Sequence, residues 1–80
     1  MPQRILRFPE VKAVSGLSRS TIYLRISEGL FPRPLLLGRR MVGWPESEIG
    51  AVNAARIRGA SDQEIRALVA SLVAARQGAA

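Results

Sequence analysis

No cysteine and no histidine occur in the 80 residues. Their absence removes the disulfide staple, the thiolate zinc site and the usual nucleophile–base pairs of hydrolases. Carboxylates are scarce too, with six Asp and Glu in all. Glu46 and Glu48 stand two apart on an expected helix and so diverge, and Asp62 and Glu64 share that spacing. No pair is set for acid–base work on one substrate, and no G-x-x-x-x-G-K phosphate loop is present. An enzyme is not expected, and neither is a metal or an organic cofactor. Nowhere do about 18 apolar residues run together, which excludes a helical membrane span. The opening "MPQRILRFPEVK" holds no continuous apolar stretch of the secretory kind, so a soluble cytoplasmic protein is expected. A chain of this length buries only about 60% of its unfolded surface, enough for one small core of a few helices and a hairpin.

Arginine is what the chain has in excess. Twelve Lys and Arg oppose six Asp and Glu for a formal charge of +6, and every cation but Lys12 is arginine. Residues 1–44 hold eight cations and two anions, residues 45–80 four of each, so the whole excess lies in the first half. The planar guanidinium suits phosphates and guanine edges, and a cationic surface gains from the counterions a polyanion releases. A solubilising charge has no need to be one-sided. The distribution therefore indicates a nucleic-acid face.

The stretch "GLSRSTIYLRISEGLFPRP", residues 16–34, sits in that half. Before it, Pro9 suits the first position of a helix reading "PEVKAVS", with Glu10 in the first turn and Val11 and Val14 three apart on one face. Gly16 ends that helix and Leu17 turns back to the core. Ser18 caps a second helix over residues 19–28, with Ile22 and Ile26 inward and Gly29 as its stop. Two short helices about a glycine-bearing turn outline a helix-turn-helix. Arg19, Ser20 and Tyr23 then face outward near the N-terminal end, the end a recognition helix presents to the major groove. A capped, solvated helix would also start "SRST", so the cap alone decides nothing.

Pro32 and Pro34 next enforce an extended passage. "LLL" and "MVGW" read as strands about "GRR", a tight hairpin with Gly38 at positive φ and Arg39 and Arg40 at its tip. Such a hairpin is a wing for the DNA backbone or minor groove. An edge guarded by charge is the alternative, but guarding usually draws on lysine. Trp44 is expected to close the core. Pro45 opens a third helix, "PESEIGAVNAARIR", with Ile49, Val52 and Ile57 inward, and Gly59 ends it. Ser61 and Glu64 form a capping box for a fourth helix over residues 62–77, whose Ile65, Leu68, Val69, Leu72 and Val73 make one apolar stripe. The expected class is mainly α with a small β-hairpin: a winged helix-turn-helix (α-α-β-β-α) over residues 1–58, then a C-terminal amphipathic helix over residues 59–80 for packing or dimerisation.

"RILRFPEV", "GLSRSTIY", "EGLFPRP", "LGRRMVGW" and "ESEI" follow in that order from residue 4 to residue 49. In this series the chain resembles the AlpA-like prophage regulators, small proteins related to excisionases and to the DNA-binding part of MerR proteins. The resemblance implies a winged helix-turn-helix, sequence-specific binding of double-stranded DNA, and a role in transcription or excision of mobile elements. It places Ser18, Arg19, Ser20, Thr21 and Tyr23 on the recognition helix, Arg40 in the wing and Trp44 as the closing aromatic. Arg25 joins the helix set, and Arg7, Arg33 and Arg39 join the wing and backbone set. Two departures stand out. The family usually carries arginine and then an apolar residue after the helix tyrosine, where this chain has Leu24 and then Arg25. It also usually carries a second tryptophan about where Val52 stands. An architectural protein that bends DNA, and an adaptor whose arginines meet an acidic protein, remain alternatives. The fourth helix lies outside the motif, and its stripe can fold back on its own core or pair with a second copy. Two half-sites double the base contacts of so small a domain, which favours the homodimer.

Overall fold

The computed structural model describes residues 4–78. Its elements are β1 (Ile5–Leu6), α1 (Phe8–Ser15), α2 (Arg19–Ser27), β2 (Leu35–Leu36), β3 (Val42–Pro45), α3 (Glu46–Arg58) and α4 (Asp62–Gly78). The mainly helical class with a small sheet is therefore the observed one, with the α-α-β-β-α order intact and β1 added in front.

Local chemistry sets the helix ends. The Glu10 carboxylate accepts from the Arg7 N–H (3.0 Å) at the start of α1, and Gly16, at a left-handed φ of 73°, closes it. The Ser18 hydroxyl accepts from the Thr21 N–H (3.3 Å) and starts α2. Only three residues separate the two helices, and Ile22 faces wholly inward while Ile26 packs against the core's edge.

The sheet is antiparallel in the order β1-β3-β2, with Leu6 opposite Trp44 and Leu35 opposite Gly43. Gly43 is forced by close approach: a Cβ there would stand 2.7 Å from Ile5 Cγ2 and 2.9 Å from Leu37 Cδ1. The expected tight turn with Gly38 at positive φ is not what forms. Residues 37–41 make a wider connection, closed by the Leu37 N–H donating to the Met41 carbonyl (2.8 Å), and a loop of that width spares Gly38 a positive φ.

Trp44 sits at the centre of the core with no exposed surface. Its Nε1 donates to the Pro32 carbonyl (2.7 Å), and Phe8 and Phe31 meet its ring edge-on at 5.3 and 6.0 Å. Ile49 and Val52 are buried as expected, but Ile57 is 87% exposed. It stands five residues past Val52, about 140° round the helix, and Ala55 takes the inward place instead. Val11 is buried, whereas Val14, at the running-off end of α1, is half exposed.

The C-terminal helix folds back. Ile65 and Val69 enter the common core, and Leu68, Leu72 and Val73 pack against it. Polar anchors hold both halves of α4. Arg66 Nε donates to the Glu28 carbonyl (2.8 Å) at the end of α2. The Arg76 guanidinium grips the Glu48 carboxylate with two nitrogens and donates to the Arg33 carbonyl (2.8 Å). No helix among the described residues is long and apolar enough to cross a membrane.

The expected capping box is present: the Ser61 N–H donates to Glu64 Oε1 (2.9 Å) and the Glu64 N–H to Ser61 Oγ (3.2 Å). The Ser61 N–H bond first, then the Ser61 hydroxyl beside the carboxylate and the nearby Arg58 charge, hold the Glu64 carboxyl below its ordinary range. A depressed carboxyl stabilises the folded state above its unfolded pKa and ceases to do so as pH falls through the folded value. Acidification is therefore expected to loosen the start of α4, with Glu64 titrating below the ordinary glutamate range by NMR. In Glu64→Ala that part of the acid sensitivity should vanish.

Candidate nucleic-acid interface

The start of α2 is a hydroxyl cluster. Ser18 Oγ lies 2.9 Å from Thr21 Oγ1 and 3.3 Å from Ser20 Oγ, three short side chains gathered at the helix tip. Arg19 emerges beside them, with its Cζ 4.5 Å above the centre of the Phe8 ring, within cation–π range. Tyr23, one turn on, sets its ring 5.6 Å from the same Phe8. Phe8 in turn rests on Trp44. Both outward residues are thus seated on the core through one aromatic ring.

The hairpin faces this helix end. Arg7 Nε donates to the Val42 carbonyl (3.1 Å), which ties the residue before α1 to β3. Arg7, Phe8, Pro9, Arg19, Tyr23, Arg40 and Val42 together line an open cleft of about 360 Å³. Three guanidinium groups border it and no carboxylate does among the described residues. The neighbouring Glu10 and Glu46 are occupied by Arg4, at 3.2 and 2.9 Å. The cleft is therefore a concentrated positive field between a helix tip and a hairpin, suited to phosphates and base edges.

Arg7, Arg19, Tyr23 and Arg40 are brought together here, with Ser18, Ser20 and Thr21 on the adjoining helix start. Arg39 is exposed in the hairpin loop beside Arg40. Two expected residues lie elsewhere. Arg25 is half-buried in a second groove, where its Nε has no acceptor, and Arg33 borders α4. Leu24 takes the outward position after Tyr23 and is exposed. Sequence reasoning missed Phe8 and the Val42 carbonyl. The one available signal was an aromatic directly before Pro9, and it was compatible with a plain core residue.

The family described as Prophage CP4-57 regulatory protein (AlpA) has a sequence model that matches residues 4–52. An uncharacterized protein of Enterobacteria phage P4, ORF88, is 51% identical over 57 residues, which cover 71% of this chain and 65% of that protein. The DNA-binding transcriptional activator AlpA of Escherichia coli K12 is 40% identical over 52 residues, 58% of this chain and 74% of AlpA. The chain thus spans a little under two thirds of the phage protein. No solved structure matches it. The family match takes in both short helices, the hairpin and the arginine-lined cleft, and stops within α3, before α4. With more than half its length so matched, this chain belongs to the family of AlpA prophage regulatory proteins.

Proposed function

We propose that this chain is a sequence-specific, DNA-binding transcriptional regulator, which seats the tip of α2 in the major groove and lays the β2–β3 hairpin against the backbone as a wing. The cleft carries the reading, since three arginines converge on it between a helix tip and a hairpin. The name of the Escherichia coli relative supports it. Arg19, pre-oriented over Phe8, reads a base edge, and Tyr23 flanks it. Ser18, Ser20 and Thr21 are short enough for close approach, and the helix N-terminus favours a phosphate. Arg7, Arg39 and Arg40 hold the backbone. Arg25 and Arg33 take no part. The α4 stripe already serves its own core, so pairing two copies through Ile65, Leu68, Val69, Leu72 and Val73 would unpack it. The proposed binding unit is therefore one chain per recognition site.

Selection of bound duplexes from a random pool tests this reading. One enriched motif is expected, carried by one chain per motif in sedimentation. Arg19→Ala should relax preference at one position and cost about 1–3 kcal/mol on the best site. Arg40→Ala should weaken all duplexes alike and make the log affinity against log salt slope shallower by about one, from about −4. No enriched motif, together with a slope near zero, would sink the proposal.

A further inference from the structure

A second groove, of about 330 Å³, lies between the end of α1, the last turn of α2 and the second half of α3. It shares no lining residue with the basic cleft. Val14, Leu17 and Phe31 give it an apolar wall, while Arg25 and Arg56 enter it from two helices. Arg25 Nε and Arg56 Nη2 are both buried without an acceptor. Native interiors leave few such donors, because each unmade hydrogen bond to a charged group is costly. Both belong to residues that line this groove, and Arg56 is paired with Asp62 through its other terminal nitrogen only. Its lining is open to solvent on the apolar side, with Val14 half exposed and Ile57 almost fully so.

We propose that this groove docks a partner protein through a short acidic and apolar segment. A carboxylate of that segment lies between Arg25 and Arg56, where charge-assisted hydrogen bonds are strongest, and an adjacent apolar side chain lies on Leu17 and Phe31. DNA is a poor occupant, since a phosphate backbone gains nothing from an apolar wall. A second copy is poor for another reason. The chain holds six carboxylates, and five already serve internal bonds: Glu10 and Glu46 to Arg4, Glu48 to Arg76, Asp62 to Arg56 and Glu64 to Ser61. A small carboxylate would leave the exposed Ile57 uncovered. The inference goes beyond the DNA-binding reading and gives a bound regulator a handle away from the DNA face.

The probe is a random peptide library displayed on phage and selected on the whole chain. Enriched peptides are expected to carry Asp or Glu next to Leu, Phe or Trp, and to shift amide resonances around Val14, Leu17 and Asn53. Arg56→Gln and Ile57→Ser, at a groove rim and on the surface, should each weaken the best peptide about tenfold or more. Neither variant should change duplex affinity, so failure of docking is told apart from failure of DNA binding. Several outcomes overturn the proposal: no enrichment; peptides that are acidic only and compete with duplex for the cleft; equal binding of acetyl-glutamate alone; or self-association of the wild type that Ile57→Ser abolishes.

Discussion

Trp44→Ala is expected to lower the unfolding free energy by about 3–5 kcal/mol, the range for truncating a large buried aromatic. Small domains hold roughly 5 kcal/mol or a little more, so the variant should keep only about 0–2 kcal/mol and be partly unfolded at ambient temperature. The indole is wholly buried between Phe8 and Phe31, and its departure leaves a cavity at the meeting point of sheet and helices. It also strips the buried Pro32 carbonyl of its donor. Trp44→Phe separates the two effects: it keeps most of the packing, loses the N–H, and should cost about 1–3 kcal/mol. The proposed interface depends on the same residue, because Trp44 seats Phe8, and Phe8 seats Arg19 and Tyr23. Denaturant titration followed by far-UV circular dichroism measures both variants. A loss below about 1 kcal/mol in the alanine variant would show that the core repacks around the missing ring.

Helix ends were readable because capping is short-range chemistry. Ser18, Gly16 and the Ser61–Glu64 box each act within four residues, and each is observed in its expected role. Ile57 went astray where residue type was set above helical phase. An isoleucine attracts attention, but position 55 is the one that faces inward, and the alanine there is wholly buried. Strand β1 left no pattern to read. It is two residues long, and it exists because β3 offers it an edge and the Glu46 N–H reaches the Arg4 carbonyl (2.8 Å). Pairing of that kind is tertiary, and a local window does not contain it.

The cleft was half readable for related reasons. Arg19 and Tyr23 follow from helical phase once Ile22 is inward, and Arg40 follows from the hairpin. Arg25 enters with the resemblance, one place later than the family's arginine, and stands six residues after Arg19, about 120° round the helix. Phase, applied strictly, removes it from the tip. Phe8 reaches the site only because α1 lays it across Trp44 and under Arg19, a contact among three separate elements. The α4 stripe carried a different ambiguity, since the same apolar face serves folding back and pairing. What decides its observed place is polar: Arg66 on the Glu28 carbonyl and Arg76 on Glu48 and Arg33. Glu48 had a sufficient local explanation as a helix-start acid, and that explanation concealed its partner 28 residues away.

Glu48→Ala is expected to cost about 3–5 kcal/mol, the range for removing one partner of a buried ion pair. The Glu48 and Arg76 side chains are only 6% and 15% exposed, so the guanidinium left behind has little water to turn to. Arg76→Ala should cost as much, because it strands the deeper carboxylate and also frees the Arg33 carbonyl. The attraction between the two charges is not a net gain of that size. Desolvation of both offsets most of it, and an apolar pair of similar volume often does as well. The double variant Glu48→Leu with Arg76→Met should therefore recover most of the stability lost by either single change. It should not recover the hold on Arg33, whose carbonyl anchors the root of the hairpin from α4. Amide exchange over residues 33–36 is expected to quicken in the double variant while global unfolding stays close to wild type. On the proposed function, DNA affinity should fall modestly with it, because the hairpin's arginines lose a fixed origin. Single variants within about 1 kcal/mol of wild type, and a double variant no better than either, would show that water reaches the pair and that α4 is held by its apolar stripe alone.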